Sequence, residues 1–194
     1  MLGMDASSQT TQNMLRTKQC VLNLASDDMA GNINAIARTT GTDPVPESKK
    51  GRGYTCVKDK FACAGLTPLP SRHVAAPGIK ECPVVMEAEV VGVHEMYAGR
   101  AVQGLVLAIE VRIVRVGVHD RLRLDGHRNR IDSDKWKPMI MMFCELYGLR
   151  SGKQEHSRLA EIEEETYRPL TDTTGEIEEE ADGHVAVGLQ ATRP

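Results

Sequence analysis

Four polar side chains between positions 7 and 13 could together bind an anion. They are Ser7, Ser8, Thr10 and Asn13, at the start of a segment whose pattern predicts a helix. Hydroxyl groups at such a position accept hydrogen bonds from first-turn amides, which have no acceptor within the helix. The same amides and the positive end of the helix dipole can bind a phosphate group. An ordinary helix cap without a ligand also explains this spacing, and both interpretations stay open.

Other catalytic motifs find little support in the sequence. The histidines show no metal-ligand spacing, and the cysteines form neither a CxxC pair nor a zinc-type Cys/His cluster. Ser71 and His73 place a hydroxyl near an imidazole, but residues i and i+2 do not normally meet, and no Gly-x-Ser-x-Gly elbow is present. The glycines form neither a P-loop nor a Rossmann loop. We therefore expect no metal site, hydrolase triad or pyrophosphate loop.

The composition is that of a globular chain with an aliphatic core. Of the 194 residues, 41% are hydrophobic but only 4% are aromatic. No apolar run is long enough to span a membrane, and the N-terminus lacks the pattern of a secretory signal. The five cysteines are odd in number and scattered, so we expect reduced thiols. These features together predict a cytoplasmic protein.

Negative charge is concentrated near the C-terminus. Residues 161–180 hold nine acidic residues and one basic residue, a net charge of −8, and the remainder carries +5 within the total of −3. This mild basic excess suits an anionic cofactor, but it is too small to indicate nucleic-acid binding. We expect a domain over residues 1–150 and a solvated acidic C-terminal tail over residues 151–194.

Hydrophobic periodicity predicts a mainly β fold with short helices. We expect helices from about Ser7 to Thr17, after a cap at Ser26, and over Asp59–Ala64, with an exposed loop at 41–53. Alternating apolar residues predict strands at 20–24, 84–96 and 102–116.

The last two strands have a turn-like stretch between them, which predicts an antiparallel hairpin. The charged residues Glu110, Arg112 and Arg115 interrupt the second strand, and we expect them on a solvated or intersubunit face. The run Met139–Phe143 is rich in methionine, which is more typical of core or dimer packing than of a cofactor site.

An ordered series of short motifs sharpens this prediction. Its first part is Lys58-Asp59-Lys60-Phe61, then Ala64-Gly65-Leu66-Thr67, a loop containing several prolines, and the strand 84–90. Its second part comprises Ile109-Glu110-Val111, Ile131-Asp132, Pro138 and Tyr147-Gly148. In this order the motifs resemble those of flavin reductase-like proteins over roughly residues 1–150. The resemblance implies an FMN-binding split β-barrel with Greek-key topology.

The resemblance also gives the first helix a role. In the family this segment commonly reads Lys-Asp-Thr-x-x-Asn and contacts the FMN phosphate or ribityl chain. Thr10 and Asn13 match the Thr and the Asn, whereas Ser8 and Gln9 stand where the Lys and the Asp would be. We therefore expect FMN-binding residues at Ser7, Ser8, Thr10 and Asn13.

The chain departs from the family in two places. Members usually carry earlier strands whose Asn and Ser region touches the isoalloxazine ring, whereas this chain begins at the strand before the phosphate helix. On this resemblance we expect those front strands to be missing, through a misassigned start codon or a barrel completed differently. Many flavin reductases also place a His where this chain has Gly104. No catalytic residue is therefore assigned.

The resemblance finally implies an activity and partners. It implies a homodimer with FMN near the subunit interface and hydride transfer from NAD(P)H to the flavin, which is used in place or passed to a monooxygenase. Two alternatives stay open. The chain could be a non-catalytic flavin-carrying or dimerising module, or an FMN-dependent oxygenase acting on a specific small molecule.

Overall fold

The computed structural model describes residues 1–149, Ser157 and two strands near the C-terminus. The strands are β1 (Leu2–Asp5), β2 (Gln19–Leu24), β3 (Thr39–Thr40), β4 (Thr55–Cys56), β5 (Pro68–Leu69), β6 (Gly78–Ile79), β7 (Val84–Glu95), β8 (Val106–His119), β9 (Met139–Met142), β10 (Glu145–Gly148), β11 (Ile177–Glu179) and β12 (His184–Gly188). The helices are α1 (Gln9–Thr17), α2 (Ala30–Ile36), α3 (Glu47–Lys50) and α4 (Lys60–Ala64). The predicted mainly β class with short helices is confirmed.

A central hairpin of β7 and β8 organises the main sheet. β2 pairs antiparallel with the first half of β7, and β1 pairs antiparallel with the first half of β8. The second half of β8 pairs with β12, which in turn pairs with β11. On the edge away from β7, β8 thus pairs with β1 near its start and with β12 near its end.

Two irregularities in the β7–β8 pairing help this sheet to curl. The register shifts between Glu87 and Ala88, and again between Val90 and Gly92. Each extra residue on one strand increases the local twist and bends the strand. The sheet consequently forms a curled half-barrel, with the short helices packed around it.

Two hydrophobic clusters form the core. The first joins α1 to the sheet through Met14, Ala88 and Ile109. The second packs α2, α4 and the start of β7 around Met29 and Cys82. Burial raises the pKa of the Cys82 thiol to about 11, so this side chain is a neutral core residue at physiological pH.

Several predicted elements differ in detail from the structure. Ser26 makes no side-chain capping bond; a single 3₁₀ turn at Asp27–Met29 leads into α2 instead. The predicted loop at 41–53 contains the one-turn helix α3. β8 starts at Val106 rather than at residue 102, because residues 96–105 form the turn.

The methionine-rich run is only partly packed. Met139 contacts the second hydrophobic cluster. The neighbouring Met141 and Phe143 are 66% and 94% exposed, at and beside the turn of the β9–β10 hairpin. The expectation of core packing therefore holds for Met139 alone.

Arg115 corrects a prediction about β8. Glu110 and Arg112 are exposed as expected, but Arg115 is only 5% exposed and pairs with the buried Glu87 at 3.1 Å. Glu87 also accepts hydrogen bonds from the backbone amides of Arg72 and His73. These donors and the facing charge compensate the carboxylate for its lost hydration, which allows the pair to be buried.

Most of the predicted C-terminal tail lies outside the described residues. Two short stretches of it, β11 and β12, extend the main sheet, so a purely solvated tail does not describe them. The domain boundary near residue 150 stays a prediction. Among the described residues, none of the helices has the length and apolar character that crossing a membrane requires.

Candidate functional site

A hydrogen-bond network fixes the start of α1. Ser8 has extended backbone angles and caps the helix, because its Oγ accepts from the amide of Thr11 at 3.1 Å. The Thr11 hydroxyl is buried and donates to the carbonyl oxygen of Asp5 at 2.7 Å, and it lies 2.7 Å from Ser8 Oγ. The amides of Gln9 and Thr10, at the first two helical positions, have no acceptor within the helix. The network thus fixes the cap of α1 and leaves these two amides able to donate to a ligand.

A cavity of about 660 Å³ lies at this helix start. Ser8, Thr10 and Asn13 line it, so the structure brings together three of the four residues predicted to bind the cofactor. The Gln9 side chain donates from Nε2 to the side-chain oxygen Oδ1 of Asn13 at 3.1 Å, which leaves the Asn13 NH₂ group as the part able to donate to a ligand. The cavity wall on α1 is therefore rich in hydrogen-bond donors.

Ser7, the fourth predicted residue, points elsewhere. Its amide and hydroxyl both donate to Asp5 Oδ1, at 2.8 and 2.7 Å, and it is not among the residues that line the cavity. These bonds, led by the hydroxyl, lower the pKa of the Asp5 carboxyl, and the charges of Lys49 and Arg52 act in the same direction. Ser7 thus supports the turn that precedes the helix.

Three lysines far from α1 in the sequence line the same cavity. Lys49 belongs to α3, Lys58 precedes α4, and Lys60 opens it. The carboxylate of Asp59 also lines the cavity and caps α4 by accepting from the Ala62 amide at 2.9 Å. Three positive charges against one negative charge leave a net lining charge of +2.

Lys60 is the most constrained of these cations. Its Nζ donates to the carbonyl oxygen of Thr39 at 3.4 Å. Partial burial, and next the nearby charge of Lys49, lower the pKa of the Lys60 ammonium. Both effects raise the free energy of the charged form. An anion bound in the cavity would lower that free energy again, because an opposite charge nearby favours the ammonium.

A glycine allows the chain to pass close to the first turn of α1 at the cavity. β3 pairs in parallel with β4, and the chain then passes Gly41 against the first turn of α1. A Cβ atom on Gly41 would lie only 3.0 Å from Gln9 Cγ, so glycine permits this contact. Val57 and Phe61 add two apolar residues to the cavity lining.

Sequence reasoning missed the lysines of this site. In the sequence, Lys58 and Lys60 stand out only as part of a motif, and Lys49 lies in a predicted exposed loop. One feature of the sequence could have indicated them. Ser8 stands where the family has a Lys, so a phosphate site here needs positive charge from another part of the chain. No clusters of three or more potential metal-binding side chains occur among the residues that the structure describes.

Comparison with known proteins gives a consistent result. Residues 1–124 match the family described as flavin reductase like domain. The uncharacterized protein YdfE of Bacillus subtilis strain 168 is 34% identical over 150 residues, which is 76% of this chain and 69% of the relative.

Two solved structures share the fold. Nitrilotriacetate monooxygenase component B from Bacillus cereus superposes with a TM-score of 0.55 at 20% identity, over 77% of this chain and 65% of that chain. A flavin reductase-type protein with a split barrel domain from Shewanella frigidimarina gives a TM-score of 0.54 at 17% identity, over 80% and 67%. This chain thus spans about two thirds of their length, and the predicted split-barrel fold is confirmed.

Proposed function

The chain belongs to the flavin reductase-like domain family, and from this premise we propose that it binds FMN and transfers hydride to it from NAD(P)H. A flavin-related function follows from the family itself. The observation that carries the choice of FMN is the cavity in which the N-terminus of α1 meets three lysines.

The donor set fits a phosphate monoester. Such a group carries a charge of about −1.5 to −2 near neutral pH and offers three acceptor oxygens. The first-turn amides of α1, the Thr10 hydroxyl and the Asn13 amide can donate to it, and the net lining charge of +2 balances it. We propose Thr10, Asn13, Lys49, Lys58 and Lys60 as phosphate contacts.

The chain's own part in the reaction would be binding and orientation. Bound FMN would supply the hydride-accepting ring chemistry. Ser8 and Thr11 hold α1 in place through the capping network, so the phosphate contacts are organised before the ligand arrives. Such preorganisation lowers the entropic cost of binding.

Two measurements on the purified protein test the two parts of this proposal, FMN binding and hydride transfer from NAD(P)H. Fluorescence titration should give tighter binding of FMN than of FAD, because the cavity matches a terminal phosphate monoester and the sequence lacks a pyrophosphate loop. Addition of NADPH or NADH under anaerobic conditions should bleach the visible flavin band. A protein that binds neither flavin would contradict the whole proposal.

A non-catalytic flavin carrier is the second candidate, and the position of Gly104 favours it. In many flavin reductases the position that corresponds to Gly104 carries a His on the nicotinamide side of the flavin. Here it is a glycine in the β7–β8 turn, with φ of 77°, and glycine has no side chain that could contact a nicotinamide. FMN binding without bleaching by either nicotinamide nucleotide would support the carrier over the reductase.

We also propose a homodimer that pairs with a separate oxygenase. The Bacillus cereus neighbour is described as a component of a monooxygenase. In this chain, Met141 and Phe143 of the β9–β10 hairpin expose apolar surface that association could cover. Light scattering over a dilution series should show a dimer at micromolar concentration, and a stable monomer there would contradict it.

A further inference from the structure

The cavity beside α1 is larger than a phosphate site requires. Its volume of about 660 Å³ falls within the range of roughly 300–1,000 Å³ for pockets that enclose whole small-molecule ligands. A phosphate group bound by Thr10, Asn13 and the lysines would fill only part of this volume. The lining also includes Val57 and Phe61, which offer no hydrogen bonds from their side chains.

The hydrogen bonds of α4 and packing against the core fix the position of Phe61 at the cavity. Asp59 caps the start of α4, and at its end the amide of Leu66 donates to the Phe61 carbonyl oxygen at 2.9 Å. Part of the Phe61 side chain packs against the buried cluster that contains Met29 and Cys82. The ring thus contacts the core and lines the cavity from a fixed backbone position.

We propose that the isoalloxazine ring of the flavin binds in this same cavity and packs against Phe61. This inference rests on the proposed FMN binding. FMN joins a dianionic phosphate to a flat aromatic ring system, and the cavity lining combines lysines and hydrogen-bond donors with the apolar residues Val57 and Phe61. Among the described residues that line the cavity, Phe61 provides the one aromatic side chain.

Phe61 would therefore bind the ring and set its orientation. Aromatic pairs in offset or edge-to-face contact gain stability beyond the surface that they bury. The same side chain would disfavour ligands that carry a phosphate but no aromatic group.

Riboflavin separates the ring from the phosphate, because it carries the ring and ribityl chain alone. Riboflavin and FMN are titrated into the wild type, Phe61→Ala, Phe61→Leu and Phe61→Tyr, with the visible circular dichroism of the bound flavin as a second readout of how firmly the ring is oriented. We expect Phe61→Ala to weaken both ligands by the same factor, about three- to tenfold, and to reduce the circular dichroism. Phe61→Tyr should keep both affinities and quench the flavin fluorescence, because a tyrosine ring in contact with the excited flavin can donate an electron to it. The control Thr10→Ala/Asn13→Ala should weaken FMN alone.

The outcomes separate this inference from the proposed function. A folded Phe61→Ala protein with unchanged riboflavin affinity and unchanged circular dichroism of the bound flavin would overturn the inference. If Phe61→Ala does not fold, Phe61→Leu keeps the apolar contact with the core, and the same two readouts decide the matter. A wild type that binds FMN but not riboflavin overturns the inference and leaves FMN binding intact. A wild type that binds neither overturns both.

Discussion

The charges at Glu87 and Arg115 and the charges around the α1 cavity are arranged in contrasting ways. Glu87 and Arg115 are both buried, face each other across β7 and β8, and share a hydrogen bond at 3.1 Å. Around the cavity, Lys49, Lys58 and Lys60 outnumber Asp59 and are partly open to solvent. The first group is balanced within the chain, whereas the second leaves positive charge for something outside it.

This difference separates a structural role from a binding role. A buried charge must be neutralised by the fold itself, since water cannot reach it. A cluster at a cavity can stay unbalanced, because solvent screens it until an anion binds. Replacing residues of the first group should therefore change stability, and replacing residues of the second should change ligand affinity.

Arg115→Met should give the largest effect. It leaves the buried Glu87 carboxylate with only its backbone donors, and loss of one partner of a buried pair costs about 3–5 kcal/mol of unfolding free energy. Urea denaturation measures this. Arg112→Met is the matched control, because Arg112 pairs with Glu89 at the surface and such pairs contribute only about 0–1 kcal/mol. Equal effects of the two variants would contradict the comparison.

Lys49→Met combined with Lys60→Met should weaken FMN binding without loss of stability. Each hydrogen bond to a charged group contributes about 1.5–3 kcal/mol, which corresponds to roughly ten- to a hundredfold in the dissociation constant per lysine. Fluorescence titration measures the effect, and riboflavin affinity should not change. Lys50→Met is the control, since Lys50 pairs with Glu47 on α3 and does not line the cavity. FMN affinity equal to that of the wild type would show that these two lysines do not contact the phosphate.

Thr10→Ala combined with Asn13→Ala should have a smaller effect of the same kind. These neutral donors supply hydrogen bonds but no charge, so we expect about a tenfold loss of FMN affinity. The melting temperature should hold, because Ser8 and not Thr10 caps the helix. Thr17→Ala at the other end of α1 is the control. A lower melting temperature with unchanged FMN affinity would leave only a local structural role for these two residues.

The smallest effect should be a pH dependence that arises from Lys60. Because its pKa is lowered in the folded chain from the ordinary value of 10.5, the unfolded chain binds more protons between the two pKa values. Stability without ligand should therefore rise as the pH increases through the folded-state pKa towards 10.5. FMN affinity should fall over the same range, as the ammonium loses its charge. Lys60→Arg stays protonated, so its FMN affinity should lack this pH dependence. An identical pH profile for Lys60→Arg and the wild type would contradict the assignment.

Much of the secondary structure could be predicted from the sequence. The start of α1, the cap of α4 at Asp59 and the β7–β8 hairpin depend on residues close together in the chain. Capping and alternation act over a few positions, so their signals survive without knowledge of the fold. The predictions failed where a distant neighbour decides the outcome, as at Arg115, whose carboxylate partner lies on another strand.

In the candidate site, too, some features depend on residues close together in the chain and others on distant ones. The sequence by itself determined one wall, the polar first turn of α1 with Thr10 and Asn13, because a helix start carries its donors locally. Only the tertiary structure brought Lys49, Lys58, Lys60 and Phe61 to face that wall, through the pairing of β3 with β4 and the packing of α4. Contacts across such separations follow from how the whole core buries its apolar surface, and no short stretch of sequence encodes that packing.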